Sequence, residues 1–410
     1  MSPQSIKIPA NQALSELKRH NLRMQIIRLL YKKSPQSAAH LCKKVNISLP
    51  SARSILNELI DEKVVFITGT GESSGGRKPV LYSLDGEAFY IMAVEMDQYK
   101  AKAIFLNCLN ETSGNPVEFE TNINDPEFIF KLEKAFGQLQ QESGVDRSRI
   151  HAIGIGMPGL INPQNGVNQT IKDPEKQNIA ERVSHHFGLA TYIENDARMQ
   201  TLGEFVFGKA KNTRNTLVIN WSWGLGLGMI INGEIFPGSN GCSGEFSHIR
   251  IVEDGDLCEC GKRGCLQTIA GARHLLDLAR QAIHEENISQ LTNDFIGRTD
   301  ELTVKDIIAS AIRGDELSIN LINTIGKNMA WGLSILIQLY NPELILLSGP
   351  LSVPKQYLQA TIQQALQQYC LSNILSNVKV EISELAENSG LKGTGVMVFK
   401  KLFSRQDAVL

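Results

Sequence analysis

The amino-acid sequence predicts an α/β protein with a small helical head and a body of two lobes. The body alternates strands and helices in two similar rounds, a pattern typical of lobes built on parallel strands. A segment with three closely spaced cysteines interrupts the second round. The charge is also divided: residues 1–80 hold 13 Lys and Arg against 5 Asp and Glu, whereas the rest of the chain holds 28 against 38.

Three helices are predicted in the head from apolar spacing and capping residues. Residues 14–31 carry apolar side chains at helical intervals, and residues 37–45 form a short second helix. Asn46 and Ile47 make the turn. Ser48 is a good N-cap for a third helix that runs to residue 61. Two helices joined by a tight turn follow the order of a helix–turn–helix.

A β-hairpin is predicted after these helices. Residues 64–68 and 79–84 are its strands, and a glycine-rich tip spans residues 69–77. Arg77 and Lys78 lie beside the glycines, where they can enter a minor groove or hold a phosphate. The head is therefore predicted to be a winged helix–turn–helix.

The head also has the features of a DNA-binding surface. The apolar residues of the third helix face inward and leave polar residues outside near its N-terminal half, the part that meets base edges. These are Ser51, Arg53, Ser54 and Asn57. A basic head on an acidic body favours a polyanionic partner, here double-stranded DNA. The alternative is a small helical dimerisation domain with a hairpin.

The elements of the body are predicted from periodicity and from glycine and proline positions. The predicted strands are residues 88–106 (a hairpin of two), 150–156, 190–193, 216–220 and 344–348. The predicted helices are residues 125–141, 179–187, a helix that starts at Ala197, 272–284, 304–313 and 317–340. A glycine turn is predicted at Gly224, Gly226 and Gly228. Together they indicate two lobes with a cleft between them.

The cysteine segment is typical of a metal knuckle. Cys258, Cys260 and Cys265 lie within one short loop whose glycines turn the backbone, and His248 precedes them. Thiolate is a soft ligand that favours zinc, and one imidazole completes a tetrahedral Cys3His site. Because a closed site leaves no position for water, we expect a structural Zn²⁺. The alternative is four unrelated residues in a glycine-rich loop.

An acidic residue follows one predicted strand of the body. Asp196 lies just after strand 190–193, and sheets of this kind bind ligands at the carboxyl ends of their strands. Its carboxylate can accept the proton of a hydroxyl or a hydrogen bond from a sugar. The alternative role is the N-cap of the helix that follows.

Composition excludes several classes of protein. With 42% hydrophobic and 20% charged residues, the chain can bury large cores and is not a disordered protein. It has no run of about 18 apolar residues for a membrane span, and its first residues lack the apolar centre of a signal peptide. Seven cysteines, an odd number, favour a reducing compartment over a disulfide framework. We therefore expect a cytoplasmic protein.

Several motifs together resemble the ROK family, which unites repressors, open reading frames and sugar kinases. The motifs are Met-Pro-Gly at 157–159, Glu-Asn-Asp at 194–196, Gly-Glu-Phe-Ser-His at 244–248 and Cys-x-Cys-Gly-x-x-Gly-Cys at 258–265. Asn341-Pro342 and Ser348-Gly349-Pro350 resemble the segment that lies on the nucleotide side in proteins of this family. With its winged head, the chain is similar to the sugar-responsive branch that includes the glucose, N-acetylglucosamine and xylose repressors.

The resemblance implies an actin-like, two-lobed body of the sugar-kinase (ribonuclease H-like) type at residues 87–410, after a DNA-binding domain at 1–86. The metal segment within it is residues 244–267. The resemblance also implies a homodimer or homotetramer. The residues that it places at a sugar are Gly156, Pro158, Asn195, Asp196, Glu245, His248 and Gln267. Asp196 matches the base of the kinases, and His248 is both a sugar contact and a zinc ligand.

Two departures from the family pattern affect the expected activity. The kinases carry an Asp-x-Gly-Gly-Thr phosphate loop where this chain has Glu-Met-Asp-Gln-Tyr at 95–99. The glycines are lost and Asp97 adds negative charge, which opposes phosphate binding. Trp221-Ser222-Trp223 replaces a second small turn, so we expect no kinase activity. Gln267 stands where the family has a sugar-contacting Glu, which changes the expected effector specificity.

These expectations describe a DNA-binding transcriptional regulator, a repressor whose operator binding is controlled by a sugar or sugar phosphate held in the body. The competing interpretation is an ATP-dependent sugar kinase with an appended DNA-binding head. A third interpretation is a body that docks a partner protein instead of a sugar. No membrane partner is expected.

Overall fold

The computed structural model describes residues 10–72, 78–385 and 388–404 of the chain. Its head contains three helices and a small antiparallel sheet in the order β1-β3-β2. The elements of the head are α1 (Ala10–Lys32), β1 (Gln36–Ser37), α2 (Ala38–Val45), α3 (Leu49–Asp61), β2 (Val65–Thr70) and β3 (Val80–Leu84). Strand β1 adds a third strand to the predicted hairpin.

Capping residues define the helices of the head. Ser37 caps α2 by accepting a hydrogen bond from the N–H of His40, and Ser48 caps α3 through the N–H of Ser51. Asn46 ends α2 in the left-handed conformation, with a φ of 59°. Asn adopts this conformation more readily than most residues because its side chain can hydrogen-bond locally. The turn predicted at Asn46 is therefore confirmed.

The first lobe is a five-stranded sheet in the order β10-β7-β4-β5-β6, with helices on its faces. Its elements are β4 (Tyr90–Met96), β5 (Lys100–Asn107), β6 (Thr112–Glu120), α4 (Phe128–Ser143), β7 (Ile150–Met157), β8 (Ile161–Asn162), β9 (Val167–Asn168), α5 (Ile179–Phe187), β10 (Ala190–Asn195) and α6 (Asp196–Phe207). Strands β4, β7 and β10 are parallel, whereas β5 and β6 pair antiparallel at one edge. The edge strand β6 was not predicted from the sequence.

The second lobe is a five-stranded sheet in the order β13-β12-β11-β14-β15. If the strands of each sheet are numbered along the chain, both sheets have the order 3-2-1-4-5. Its elements are β11 (Thr216–Trp221), β12 (Leu225–Ile231), β13 (Glu234–Ile235), α7 (Gln267–Ala270), α8 (Ala272–His284), α9 (Gln290–Phe295), α10 (Val304–Ile312), α11 (Glu316–Tyr340), β14 (Leu344–Ser348), α12 (Lys355–Tyr369), α13 (Ser372–Leu375) and β15 (Lys379–Ile382). The repeated order makes the body a two-lobed α/β structure. Every helix in the described part of the chain is too short or too polar to cross a membrane.

The glycine turn predicted in the second lobe is shorter than expected. Gly224 lies in the turn, but Gly226 and Gly228 belong to strand β12, so the prediction of a three-glycine turn is wrong. A Cβ on Gly226 would lie 2.7 Å from Ala197 Cβ, and one on Gly228 would lie 1.9 Å from Thr201 Oγ1. These glycines are needed because α6 crosses the second sheet at close range.

A last helix, α14 (Ser389–Ser404), packs along α6 with almost no space between the backbones. A Cβ on Gly203 of α6 would lie 2.0 Å from the carbonyl oxygen of Ser389. A Cβ on Gly393 of α14 would lie 1.8 Å from the carbonyl oxygen of Met199. Helix α6 therefore contacts the second sheet on one side and α14 on the other.

An aromatic cluster joins the head to the body. The ring of Tyr31 in α1 lies 5.9 Å from that of Phe399 and 5.2 Å from that of Phe403, both in α14. The Phe89 ring lies 5.9 Å from Phe403, and Asn110 donates a hydrogen bond to the Tyr31 hydroxyl at 3.3 Å. The apolar core of the head is consequently continuous with one face of the first lobe.

Gly393→Ala is expected to lower the free energy of unfolding by about 3 kcal/mol, because the added methyl group would overlap the backbone of α6. Denaturant unfolding of the full chain measures the effect. Gly137→Ala in α4 is the matched control, because a Cβ there meets nothing within 4 Å. The control should gain up to about 1 kcal/mol from the better helix propensity of Ala. Equal gains in both variants would contradict the close packing of α6 and α14.

Candidate functional site

The candidate site lies at the carboxyl ends of three neighbouring parallel strands of the first lobe. Gly156 of β7 pairs with Glu95 of β4 on one side and with Glu194 of β10 on the other. Asn195 ends β10, and Asp196 begins α6. Ligands in α/β sheets bind at this end of the strands. The fold thus brings sequence motifs from three separate segments to one edge.

Asn195 caps helix α6. Its Oδ1 accepts a hydrogen bond from the N–H of Arg198 at 3.3 Å, and its Nδ2 donates to the carbonyl oxygen of Gly159 at 3.3 Å. The alternative prediction that Asp196 is the cap is wrong, because Asp196 is already the first helical residue. The amide of Asn195 also fixes the Met-Pro-Gly turn against the start of α6.

Three carboxylates face the same region and influence one another. The pKa of Asp196 is raised to about 6, mainly by burial and also by the charge of Glu245. Burial raises the pKa of Glu95 to about 7, although a hydrogen bond from Gln200 opposes the shift. Burial also raises the pKa of Glu245, against the opposing charge of His248. The cleft is therefore a negatively charged environment in which Asp196 is still mainly ionised at pH 7.

Glu95 takes part in a hydrogen-bond chain between the lobes. Its Oε1 accepts a hydrogen bond from Gln200 Nε2 at 3.2 Å, and Gln200 Oε1 accepts one from the Ser348 hydroxyl at 3.2 Å. Ser348 is the last residue of β14 in the second lobe. The other oxygen of Glu95, Oε2, is buried without a hydrogen-bond partner. A buried, unpartnered carboxylate oxygen favours the protonated form.

Arg198 is buried beside the carboxylates, but its charge is already neutralised. Its side chain is only 3% exposed, and it donates to Glu194 Oε1 from Nε at 2.8 Å and from Nη2 at 2.6 Å. Nη1 donates to the carbonyl oxygen of Gly241 at 2.6 Å. Sequence reasoning missed this pair, although Glu194 and Arg198 have the i, i+4 spacing of a helical ion pair.

A group of four side chains in the second lobe could hold a metal ion. The residues whose ligand atoms all lie within 4.8 Å of one another are His248, Cys258, Cys260 and Cys265. Cys258 Sγ lies 3.5 Å from His248 Nδ1, and Cys260 Sγ lies 3.7 Å from Cys265 Sγ. Gly264 turns the loop with a φ of 73°, and a Cβ there would lie 1.6 Å from the carbonyl oxygen of Val252. Only glycine fits this position.

Glu245 and Gln267 connect this group to the cleft. Glu245 Oε2 lies 3.9 Å from His248 Nε2, the nitrogen that points away from Cys258. A carboxylate facing the second nitrogen of a ligating histidine orients its ring. Gln267, the first residue of α7, has its Oε1 close to Gly224 at the β11–β12 turn. The predicted sugar residues therefore come from both lobes.

The two turns whose sequences depart from the family's phosphate loops contact each other in the structure. At the β4–β5 turn, Asp97 Oδ1 accepts hydrogen bonds from the N–H groups of Tyr99 and Lys100, both at 2.8 Å. The Tyr99 ring meets Trp223 of the β11–β12 turn edge-on, with centroids 5.4 Å apart and an interplanar angle of 82°. An aromatic contact thus joins the two turns across the cleft.

The predicted DNA contacts lie on the outer face of α3. The residues exposed there are Ser51, Arg53, Ser54 and Asn57. The Ser51 hydroxyl shares a hydrogen bond with that of Ser48 at 2.8 Å, and the Ser54 hydroxyl accepts one from Arg19 at 3.1 Å. Within the described ranges, Arg53 and Asn57 make no comparable side-chain hydrogen bond. Lys78 is exposed beside the hairpin, and Arg77 lies outside the described residues.

The body consists of two α/β lobes with the same strand order, and Asn195 and Asp196 lie where β10 passes into α6. The sequence pattern of the ROK family matches residues 105–401, and the chain belongs to this family.

Relatives match over different parts of the chain. The xylose repressor of Caldicellulosiruptor bescii is 28% identical over 406 residues, which cover 94% of this chain and 98% of that protein. A glucokinase of Halalkalibacterium halodurans is 30% identical over 290 residues, which cover 68% of this chain and 86% of that protein. A solved ROK family transcriptional regulator, a homologue of the E. coli MLC protein, has a TM-score of 0.76 and 25% identity over 94% of this chain and 97% of its own.

Glu95→Gln is expected to stabilise the protein at pH 8 by on the order of 2 kcal/mol and to have little effect at pH 5. Burial favours the protonated carboxyl of Glu95 and raises its pKa in the folded state. The stability that this carboxyl contributes is therefore full below about pH 4.5 and is lost as the pH rises through about 7. Urea unfolding at both pH values measures this. Glu120→Gln, at the exposed end of β6, is the control and should change neither value. The same gain at both pH values would contradict the raised pKa.

Proposed function

We propose that this protein is a DNA-binding transcriptional repressor whose operator affinity is controlled by a sugar bound between the lobes of its body. The observation that carries the proposal is the match to full-length repressors over head and body together. Residues 1–86 form the DNA-binding domain and residues 87–410 the sugar-binding body. The three helices and the hairpin of the head support a winged helix–turn–helix.

In the head, α3 is the helix that enters the major groove. Arg53 and Asn57 are the exposed side chains suited to reading bases, because both offer hydrogen-bond donors to base edges. Lys78 at the hairpin contacts the phosphate backbone. A homodimer, alone or within a tetramer, places two α3 helices about one DNA turn apart on a palindromic operator.

In the body, the sugar lies between the carboxyl ends of the first-lobe strands and the segment 244–267. Asp196 and Glu245 accept hydrogen bonds from its hydroxyls, while Asn195, His248 and Gln267 complete the polar lining. Gly156 and Pro158 contribute backbone only. Gly156 packs against Met199 and Thr394 of the neighbouring helices, and the Pro158 carbonyl oxygen accepts a hydrogen bond from Asn168 at 3.0 Å.

The metal that fits the Cys3His group is zinc. Zinc–sulfur bonds of about 2.3 Å at a tetrahedral angle place two sulfurs about 3.8 Å apart. The 3.7 Å separation of Cys260 and Cys265 Sγ agrees with this geometry. A bound ion would fix the loop and orient His248, and through it Glu245, toward the sugar. The role of the metal is therefore structural.

Helices α6 and α14 carry the signal from the cleft to the head. Helix α6 begins at Asp196, and α14 lies against it with backbone contacts at Gly203 and Gly393. The end of α14 holds Tyr31 of the head through Phe399 and Phe403. Tightly packed elements shift as units, so a sugar that changes the lobe angle changes the position of α1. The sugar acts only through its different affinities for the two arrangements.

The β4–β5 turn supports the loss of kinase activity. The amides of Tyr99 and Lys100, which would otherwise be free to bind a phosphate, already donate to Asp97. Phosphoryl transfer remains the competing function, since the glucokinase relative and the retained Asp196 favour it. ADP release from ATP and a panel of hexoses separates the two, and we expect none above the rate without protein.

The proposal is tested by capturing genomic DNA fragments on the purified protein and sequencing them, with and without a panel of sugars. Enrichment of one palindrome that a single sugar abolishes supports a sugar-released repressor. Absence of any enriched sequence from a folded, metal-loaded protein refutes DNA binding as its function.

Arg53→Ala is expected to weaken operator binding about tenfold or more, the usual cost of losing one base contact from a recognition helix. Fluorescence anisotropy with the captured palindrome measures it. Arg313→Ala, at an exposed position after α10 in the second lobe, is the control and should bind like the wild type. If both variants bind equally well, α3 is not the helix that reads the DNA.

Asp196→Asn is expected to keep operator affinity and to lose the response to the sugar, because an amide replaces the charged acceptor in the cleft. Titration of the protein–operator complex with the sugar measures the response. The exposed Asp300→Asn is the matched control and should respond normally. An undiminished response in Asp196→Asn places the sugar elsewhere.

Cys260→Ala is expected to remove bound zinc and to lower the melting temperature, because metal binding contributes to folding. Elemental analysis of the purified variant and thermal unfolding measure the two effects. Cys242→Ala, a cysteine outside the group, should retain zinc. A zinc-loaded Cys260→Ala protein of normal stability would remove Cys260 from the ligand set.

A further inference from the structure

A cavity next to the cysteine loop shares the residue Gln267 with the predicted sugar site. Its volume is about 410 Å³, and it lies between the loop that contains Cys258 and helix α8. Gln267 lines this cavity and also belongs to the predicted sugar residues. Small-molecule sites typically have volumes of roughly 300–1,000 Å³. The cavity is therefore large enough to hold a ligand and is adjacent to the cleft.

One wall of the cavity is the indole ring of Trp223, which is half-buried. The ring is held in place from the other lobe by the edge-on contact with Tyr99. A fixed aromatic ring offers a flat apolar surface at low entropic cost, and the C–H face of a sugar ring packs well on such a surface. The Trp223 wall therefore favours a ligand with a flat, partly apolar ring.

The remaining walls carry planar polar side chains whose hydrogen-bonding capacity is not used up. Arg273 lies 3.9 Å from Glu259 Oε1 and 4.0 Å from Asp277 Oδ2, distances too long for hydrogen bonds. Gln281 donates to Glu285 at 2.9 Å, which leaves its Oε1 as an acceptor. Carboxylates, amides and guanidinium groups each present two polar atoms side by side, which matches neighbouring hydroxyls on a sugar.

The charge of both spaces opposes an anionic ligand. Among the described residues that line the cavity, Arg273 is the single Lys or Arg, against Asp256, Glu259 and Asp277. His274 also lines it, and burial lowers the pKa of His274, so it adds no positive charge at pH 7. In the cleft, the guanidinium of Arg198 is already neutralised by Glu194. A phosphate in the cavity would thus meet three carboxylates against the one guanidinium of Arg273, so the net charge there is unfavourable for an anion.

We propose that this cavity is a second sugar subsite and that the effector is an unphosphorylated disaccharide. One unit binds in the cleft at Asp196 and Glu245, and the other packs on Trp223 and bonds to Arg273 and Asp277. This inference rests on the proposed function, because it assumes that a sugar occupies the cleft. Since Trp223 is tied to Tyr99 of the first lobe, filling the cavity also stabilises one arrangement of the lobes.

The test is calorimetric titration of the full-length, zinc-loaded protein with matched pairs of sugars. The probes are xylose with xylobiose, glucose with cellobiose and maltose, and N-acetylglucosamine with its β-1,4 dimer, each monosaccharide also as its phosphate ester. We expect one disaccharide to bind about tenfold or more tightly than its monosaccharide, the gain of two or three added hydrogen bonds and a ring contact. Quenching of tryptophan emission by that disaccharide should be lost in Trp223→Phe.

Variants of the cavity separate the two subsites. Asp277→Asn should reduce disaccharide affinity to that of the monosaccharide and leave monosaccharide affinity unchanged. Asp196→Asn should abolish binding of both. Asp300→Asn, an exposed aspartate outside the cavity, is the matched control and should bind both sugars normally.

Three results would overturn the subsite while leaving the proposed function intact. The first is equal binding of monosaccharide and disaccharide with no effect of Asp277→Asn. The others are tightest binding of a sugar phosphate, and displacement of the disaccharide from this cavity by AMP or ATP. Failure of every sugar to bind a folded, zinc-loaded protein that still captures an operator would instead remove the sugar effector itself, and the subsite with it.

Discussion

The contact on which the rest of this structure depends is the packing of helix α6 between α14 and the second sheet. Four glycines make it possible, two in β12 and one in each helix, and each lies where a Cβ would overlap a neighbouring residue. Helix α6 also begins at the candidate sugar site. A shift of this helix therefore changes the site, the angle between the lobes and the position of α14, which contacts the head.

The cleft contains carboxyl groups that are buried away from solvent. Burial is the main reason that the pKa values of Glu95, Asp196 and Glu245 are raised, and no neighbouring cation fully relieves it. Hydroxyl groups are suitable partners for such acceptors because they donate hydrogen bonds without adding charge. In the second lobe, His248 Nε2 lies 3.9 Å from Glu245 Oε2. The polar residues of the candidate site therefore come from both lobes.

Much of the fold followed from local signals in the sequence. Ser48 caps α3 with its hydroxyl, Asn46 ends α2 in the left-handed conformation, and the spacing of Cys258, Cys260 and Cys265 reflects one short loop. Strand β6 escaped prediction because Gly114 and Pro116 interrupt its pattern, and proline is tolerated there only because β6 is an edge strand.

Other features depend on parts of the chain that are far apart, and so the sequence could not reveal them. The three glycines in α14 weaken its helical signal, yet the tight contact with α6 requires Gly393. Asn195 rather than Asp196 is the cap because α6 begins one residue earlier than the alternative required, directly at the end of β10. The cavity beside Gln267 is lined by Trp223 and by residues of α8, and no short-range pattern relates these segments.

The β4–β5 turn has an evolutionary consequence. The carboxylate of Asp97 occupies the amides of Tyr99 and Lys100, while the Tyr99 ring independently contacts Trp223. Replacing Asp97 alone would free the amides but leave the aromatic contact across the entrance, and replacing Tyr99 alone would open the entrance but leave the amides occupied. Because the two contacts are independent, no single substitution at either position removes both, so this turn can lose them only in two evolutionary steps.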